Sequence, residues 1–471
     1  MKSTSIYIKS LNINNIRTFK NEVNLSFMRE DGSLPQWTLI LGDNGIGKST
    51  LLQCVAWMKP YLPDDSGKGM IIPKEKIEPT INNEDNATLE RLVSRGIDIE
   101  TEIASLNGEF ISGKKLNVMS KRKSVDTAYC TTKMDITLDA DLKLKDVKHS
   151  FDTNNEAIFN SSEIFIFGYS ASRVLGKTNI ADQNVADSIL GFLSDTTTLY
   201  DAEEILHTIN YAVLGAKKAE KARYQGYLDN VKEALVSILP DFDSIKNIDI
   251  APPKFIDGVI HQGELFITTK HGEKIPFKDF SLGYKTVVSW VVDLSWRLFN
   301  SFPESKKPFK EPAIVVVDEI DLHLHPIWQR EIIRNLSAHF PNIQFIATAH
   351  SPLMVQAALK ENYAVLKFVD DSVIIVNDPK SIDGWRVDQI LTSEFFGLKT
   401  ARGLEYEELL NKRQKLIRKK KLQKNEKSEL EEVTRALANY PVGENEVEIE
   451  NRKIISRVIE EIKAKKTVIE L

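Results

Sequence analysis

Gly42-Asp-Asn-Gly-Ile-Gly-Lys-Ser49 has the spacing G-x-x-x-x-G-K-[ST]. Glycines at such positions let backbone N–H groups converge on phosphate oxygens. Lys48 can reach β- and γ-phosphates, the Ser49 hydroxyl can ligate Mg²⁺, and Thr50 is close enough to bond an α-phosphate. Asn44, Gly45 and Gly47 complete the expected contacts. By itself the pattern names only a nucleotide. A second stretch, Ala313-Ile-Val-Val-Val-Asp-Glu-Ile-Asp321, puts Asp318 and Glu319 where a buried apolar run emerges. There Asp318 can hold magnesium through water, and Glu319 can orient or deprotonate an attacking water. Neighbours on a strand point to opposite faces, so the two acids are expected to divide these roles. His350, at the tip of the apolar run in "FIATAHSP", can hydrogen-bond a γ-phosphate and sense its loss. His323 and His325 are two apart, but neither a cysteine cluster nor a third well-spaced histidine accompanies them. Pro326 follows at once, as at a helix start, so the pair is not taken as a metal site.

The elements that must position these groups can be read from the hydrophobic pattern. "SIYIKSLNINNIRTFKNEVNLSF" alternates around a polar turn, as in a β-hairpin. "WTLIL" is a buried strand entering the glycine loop, and "LLQCVAWM" begins a helix after it. Residues from about 60 to 130 read as a loop-rich insertion with some β content and one helical patch in "EDNATLERLVSRG". A strand is expected in "EIFIFGYSASRVLG". Its Arg173 lies either near the nucleotide or the opposite subunit, or in a turn paired with a surface acid. Helical spacing runs from about 198 to a stop at Pro240. A hairpin turns at His271-Gly272, and another at Asp370-Asp371. The runs 313–317 and 343–348 suit a sheet covered on both faces. Charged helices follow about residue 395. The expected divisions are an N-terminal lobe over 1–195, a helical insertion over 196–245, a C-terminal lobe over 246–395 and a charged tail over 396–471.

Composition narrows the class. Of 471 residues, 42% are hydrophobic and 27% charged, a globular balance, and the net charge is −5 with a pI near 6.0. Nucleic-acid contact would therefore need a local patch. The basic run from Lys412 to Lys427 is flanked by acids, which favours a solvated helix face over a phosphate-binding one. Two cysteines, Cys54 and Cys130, make neither a disulfide framework nor a metal cluster, as in a reducing compartment. Neither a secretory apolar region, a bilayer-length run nor a lipidation signal is visible, so a cytoplasmic location is expected.

Phe280-Ser-Leu-Gly-Tyr-Lys285 is a small-residue turn at the mouth of a long apolar helix, and could grip a phosphate. Glycine loop, small turn, Asp-Glu strand end and strand-tip histidine together resemble the ABC-type ATPases, and more narrowly the SMC/RecF/OLD-like group. Asn15-Ile16-Arg17 is similar to that group's element ahead of the P-loop, and Asp318 to Pro326 to its "DEID-x-HLHP". The resemblance covers about residues 5–60 and 160–380. It implies an α/β ATPase head that binds ATP and Mg²⁺, with Arg17 at the nucleotide. It also implies that Ser281 and Gly283 grip the γ-phosphate held by a second copy, in a nucleotide-sandwiched dimer or larger assembly. Leu282 departs from the small or acidic residue common in that turn.

A nuclease domain of the OLD type needs a glutamate after one strand and Asp-x-Asp after another. Asp370-Asp371 reads as a turn, and Asp378 and Asp383 as loop residues, so no nuclease chemistry is expected. The 198–239 helical stretch is too short for an SMC coiled coil. "VDQILTSEFFGLKTARGLEYEELL" resembles the ATPase subunit of the Septu anti-phage systems, which is paired with a separate HNH nuclease. That resemblance implies a defence ATPase controlling a partner effector. Two alternatives stay open: a DNA-repair ATPase, and a nucleotide-sensing scaffold with incidental turnover.

Overall fold

Residues 4–58, 103–113, 115–117, 128–139, 144–161, 164–178, 188–193, 196–239, 242, 244–256, 259–261, 263–358, 361–377, 384–419 and 423–440 are described by the structure, a computed structural model. The "EDNATLERLVSRG" patch, Asp378, Asp383 and the last part of the tail lie outside them. The chain divides into two units, residues 1–390 with 394–396, and 391–393 with 397–471.

Burial on both faces explains the centre of the first unit. Trp37–Leu41 (β3), Ala313–Val317 (β15) and Ile343–Thr348 (β16) are buried at every residue. Trp37, Leu39, Val315, Val317 and Phe345 enter one core, while Ile40, Ile314, Val316 and Ile346 enter another on the opposite face. Apolar side chains on both faces force such strands into the middle of a covered, parallel sheet. The sheet order is Ser372–Asn377 (β18), Asn362–Val369 (β17), β3, β16, β15 and Ile166–Tyr169 (β7). All neighbours pair in parallel except β17 and β18, which return across Asp370-Asp371. Both turn residues have positive φ, 44° and 72°, as the tight hairpin requires. The C-terminal ends of β3, β16 and β15 are thus side by side, where ligands bind in open α/β sheets.

One face is covered by Lys48–Trp57 (α1) and a five-stranded antiparallel sheet of Val23–Ser26 (β2), Ile6–Asn14 (β1), Ala104–Ser112 (β4), Tyr129–Leu138 (β5) and Leu144–Thr153 (β6). The segment expected to be a loop-rich insertion therefore ends in strands that extend the N-terminal hairpin. Their alternation is regular (β4 buries Ala104, Leu106 and Phe110), but polar outer faces dilute it in sequence. Short helices Glu156–Ser161 (α2) and Ser188–Leu193 (α3) accompany this layer.

The other face is covered by Ala202–Gly215 (α4), Lys218–Ile238 (α5), Leu282–Ser301 (α6) and Pro326–His339 (α7). Asp201 caps α4, its side chain accepting from the N–H groups of Glu203 and Glu204. Ile205, Leu206 and Ile209 of α4, and Leu228, Val231 and Leu235 of α5, share the core of Trp37 and Val315. The helices expected as an insertion are thus part of the head's own core. Ser172–Thr178 (β8) and Thr196–Tyr200 (β9) pair in parallel beside them. Ile248–Ile250 (β10), Leu265–Thr268 (β13) and Lys274–Pro276 (β14) form a small sheet, with β13 and β14 turning at Gly272, and Lys254–Ile256 (β11) pairs Val259–His261 (β12). Pro352–Ala357 (α8) follows β16, and Val387–Leu391 (α9) comes after β18. Among the described residues no helix is long and apolar enough to cross a membrane. Cys54 and Cys130 are free and buried.

In the second unit Leu404–Ile417 (α10) and Lys424–Ala438 (α11) are joined by ion pairs. Lys412 pairs with Glu429 at 2.7 Å and Lys419 with Glu426 at 2.5 Å. Part of the basic run is thus spent on the acids of the next helix.

At the far end of β3, Glu361 accepts the Trp37 N–H at 2.9 Å. Burial pushes its carboxyl up from 4.5 to about 7. The unfolded chain therefore releases this proton first, and the native state loses stability as pH rises from about 4.5 to 7. Glu361→Gln keeps an acceptor for Trp37 without the charge. It is expected to gain roughly 1–3 kcal/mol at pH 8 and nothing at pH 4.5, read by denaturant melts at both.

Candidate active site

β3 ends in the glycine loop, and α1 starts at Lys48. Gly42, Gly45 and Gly47 all have positive φ. At Gly47, φ is 111°, and a Cβ would fall 2.6 Å from Thr18 Oγ1. Any side chain there would push the loop off the 15–19 element that braces it. Thr18 donates its hydroxyl to the Ile46 carbonyl at 3.0 Å, and Arg17 donates to Thr50 Oγ1 at 2.9 Å. The Lys48 ammonium is buried and donates to the carbonyls of Gly42 and Asp43, each at 2.8 Å. Burial lowers its pKa, opposed by Asp318, Glu319, Asp43 and Asp321.

The acidic group meets this loop directly. Ser49 donates its hydroxyl to Asp318 Oδ2 at 2.6 Å. Thr348, the last residue of β16, donates to Asp318 Oδ1, and its hydroxyl accepts the Glu319 N–H at 2.7 Å. The Asp318 N–H donates to the carbonyl of Tyr169, the last residue of β7, at 2.8 Å. Ser49 and Asp318 together offer hard oxygen donors, which suit Mg²⁺. One expectation is corrected here. The two acids do not alternate along a strand: β15 ends at Val317 and Glu319 has φ 48°. That left-handed turn costs a non-glycine residue about 1 kcal/mol or more.

Arg173 lies beneath the turn. Its guanidinium donates to the Asp318 carbonyl at 2.8 Å and the Glu319 carbonyl at 2.9 Å. Of the two readings left open, the turn paired with a surface acid is not the one found. In sequence Asp321 stands out only as part of the acidic motif. It accepts the His350 N–H at 2.9 Å and so fixes the backbone at the β16 tip. Thr348 was missed. Its signal was a lone hydroxyl at the end of an apolar run, two residues before His350.

Ser281 is the N-cap of α6, is exposed, and makes no side-chain cap bond. Gly283 has a partner within the chain: a Cβ there would fall 2.6 Å from the His323 carbonyl. The glycine thus permits α6 to pack on the loop that follows Glu319, a constraint independent of any second copy. His325 is spent as the cap of α7, its Nδ1 accepting the Ile327 N–H at 3.3 Å. The structure therefore joins Lys48, Ser49, Thr50, Arg17, Asp318, Glu319 and the His350 backbone through a connected set of bonds and strand ends. Ser281 and Gly283 belong to a separate helix start.

Residues 6–355 match the family model of the AAA ATPase domain. The chain belongs to this family. It is also similar to the Septu protein PtuA of Bacillus mycoides (strain KBAB4), 26% identical over 398 residues. That match covers 83% of this chain but 45% of the relative, so the chain spans less than half of that protein's length. The Retron Vc95 probable ATPase of Vibrio cholerae serotype O1 biovar El Tor is 24% identical over 426 residues, covering 79% of this chain and 78% of the relative. The Retron Ec83 probable ATPase of Escherichia coli is 37% identical over 140 residues, 30% of this chain and 24% of the relative. Among solved structures, an SMC head bound to the C-winged helix domain of ScpA aligns with a TM-score of 0.43 and 15% identity, covering 80% of this chain and 99% of that one.

Proposed function

We propose that this ATPase-family chain binds ATP with Mg²⁺ and hydrolyses it at composite sites between two copies. Its nucleotide state then controls a separate effector, a nuclease of the HNH type in anti-phage defence. The observation that carries the ATPase reading is the bonded chain from Ser49 through Asp318 and Thr348 to Glu319. It ties the phosphate loop and the acidic turn to the strand that leads to His350. Asn44, Gly45, Gly47 and Lys48 hold the phosphates, with Thr50 braced by Arg17. Ser49 and Asp318 would hold Mg²⁺, which when bound neutralises charge on the β- and γ-phosphates. Glu319 orients the attacking water and takes its proton, and His350 reads the γ-phosphate.

The exposed start of α6 supports the composite site. A helix N-terminus favours an anion, and the Ser281 hydroxyl is not spent on its own cap. Gly283, packed on His323, keeps that start fixed. The defence role is supported by the Septu and retron relatives, and the partner nuclease by the resemblance to Septu ATPases.

The test uses Ser281→Asp, because aspartate caps a helix well yet repels phosphate. Ser281→Asp is expected to bind ATP and not cleave it, and Lys48→Ala to do neither. In an equal mixture, mixed dimers carry one intact site, so about a quarter of wild-type ATPase is expected to return. Mixed dimers that form but stay inactive, when one intact site is known to turn over alone, would refute the trans arrangement. An HNH nuclease encoded next to this gene should co-purify with the chain. ATPase stimulated by DNA ends, with no such nuclease bound, favours the repair alternative.

A further inference from the structure

We infer that Arg173 is a positioning residue, holding the Glu319 backbone in the left-handed turn that aims its carboxylate. This deepens the ATPase reading above and rests on it. Three observations carry it. First, the guanidinium donates to two consecutive carbonyls, those of Asp318 and Glu319, and also to the Ser170 carbonyl at 3.3 Å. A planar fork that spans two carbonyls sets the orientation of the peptides between them, which a single ammonium does not. Second, Glu319 has φ 48°, a conformation that persists in a residue with a side chain only when its surroundings impose it. The surroundings here are Arg173 on the carbonyl side and Thr348 on the N–H side. The Leu322 N–H adds a further bond to the Glu319 carbonyl at 3.1 Å. Third, Arg173 has itself been anchored. The Ser170 N–H donates to Thr197 Oγ1, and the Thr197 N–H donates back to Ser170 Oγ, each at 2.9 Å.

That anchor rests on a buried charge pair. Asp293 of α6 accepts from the Tyr169 hydroxyl at 2.8 Å, the Tyr200 N–H at 2.9 Å and Arg297 Nε at 2.6 Å. Buried charges that are paired and fully bonded hold their neighbours in one arrangement. Tyr169, Ser170 and Arg173 therefore form a short bracket between α6, β9 and the acidic turn. Burial lowers the Arg173 pKa to about 10, which leaves it charged at neutral pH, in surroundings where its bonds are little weakened by water. Arg173 acts through Glu319.

The test compares Arg173→Ala, Arg173→Lys, Glu319→Gln and the double variant Arg173→Ala/Glu319→Gln. Three quantities are read: equilibrium ATP affinity, single-turnover cleavage, and amide exchange over 318–322 in the nucleotide-free protein. Arg173→Ala is expected to keep ATP affinity and slow cleavage about 10²-fold, the scale of a misplacement near 1 Å. Exchange at Ile320 and Leu322 should quicken, and Arg173→Lys should fall between. The double variant should be no slower than Glu319→Gln, because a misaimed amide loses nothing further. A full additional loss in the double variant overturns the inference, as does an ATP affinity that falls in step with the rate. If Arg173→Ala does not fold, Arg173→Lys in both backgrounds gives the same comparison. Normal cleavage by Glu319→Gln would overturn the role of that carboxylate, and this inference with it. A normal Glu319→Gln defect beside an unaffected Arg173→Ala overturns this inference alone.

Discussion

Lys48→Ala is expected to abolish tight ATP binding. Lys48 is the cation of the glycine loop, buried and held 2.8 Å from two loop carbonyls. Bound phosphates would take over its hydrogens. A charge-assisted hydrogen bond contributes about 1.5–3 kcal/mol, and two such bonds correspond to roughly 10²–10⁴ in dissociation constant. The substitution also leaves the Gly42 and Asp43 carbonyls without a donor, so a thermal melt should accompany the binding assay. A folded variant with unchanged ATP affinity would show that the loop does not hold the nucleotide.

Glu319→Gln should do the opposite: keep ATP and fail to cleave it. The amide retains the shape of the carboxylate but cannot take a proton from water. Loss of such a group costs about 10²–10⁴ in rate. The geometry makes the experiment specific. The bonds that hold residue 319 are backbone bonds, from its N–H to Thr348 and to its carbonyl from Arg173. None of them changes with the side chain. The turn should survive, and a lost rate then reports the carboxylate alone. Single-turnover cleavage with a parallel binding measurement is the check, and a wild-type rate would remove Glu319 from the chemistry.

Much of the head was legible in the chain itself, for local reasons. A buried central strand needs apolar side chains on both faces; 313–317 has nothing else, and 343–348 departs from that only at Gln344 and Thr348. A phosphate loop needs glycines where φ is positive, and Gly42, Gly45 and Gly47 stand there. A two-residue hairpin turn needs residues that accept positive φ, and Asp370-Asp371 do so. In each case the conformation is decided within a few residues, so spacing records it. The loop and the acids could therefore be named in advance, along with the strands that present them.

What acts on those acids was decided only by the tertiary structure. Arg173 reaches the Asp318 carbonyl across 145 positions, and Ser49 reaches Asp318 across 269. Those distances close only because β7, β15, β16 and β3 lie side by side, an order that no local period encodes. The left-handed turn at Glu319 is invisible for the same reason, since glutamate alone would not choose it. The packing of Gly283 on the His323 carbonyl is not legible either, because that carbonyl lies 40 residues on in a different loop. What covers helices 202–215 and 218–238 is likewise not legible, because helical spacing shows that a face is apolar without showing what packs on it. Local spacing thus determined which residues stand at the site. The packing of distant strands and helices decided where they point.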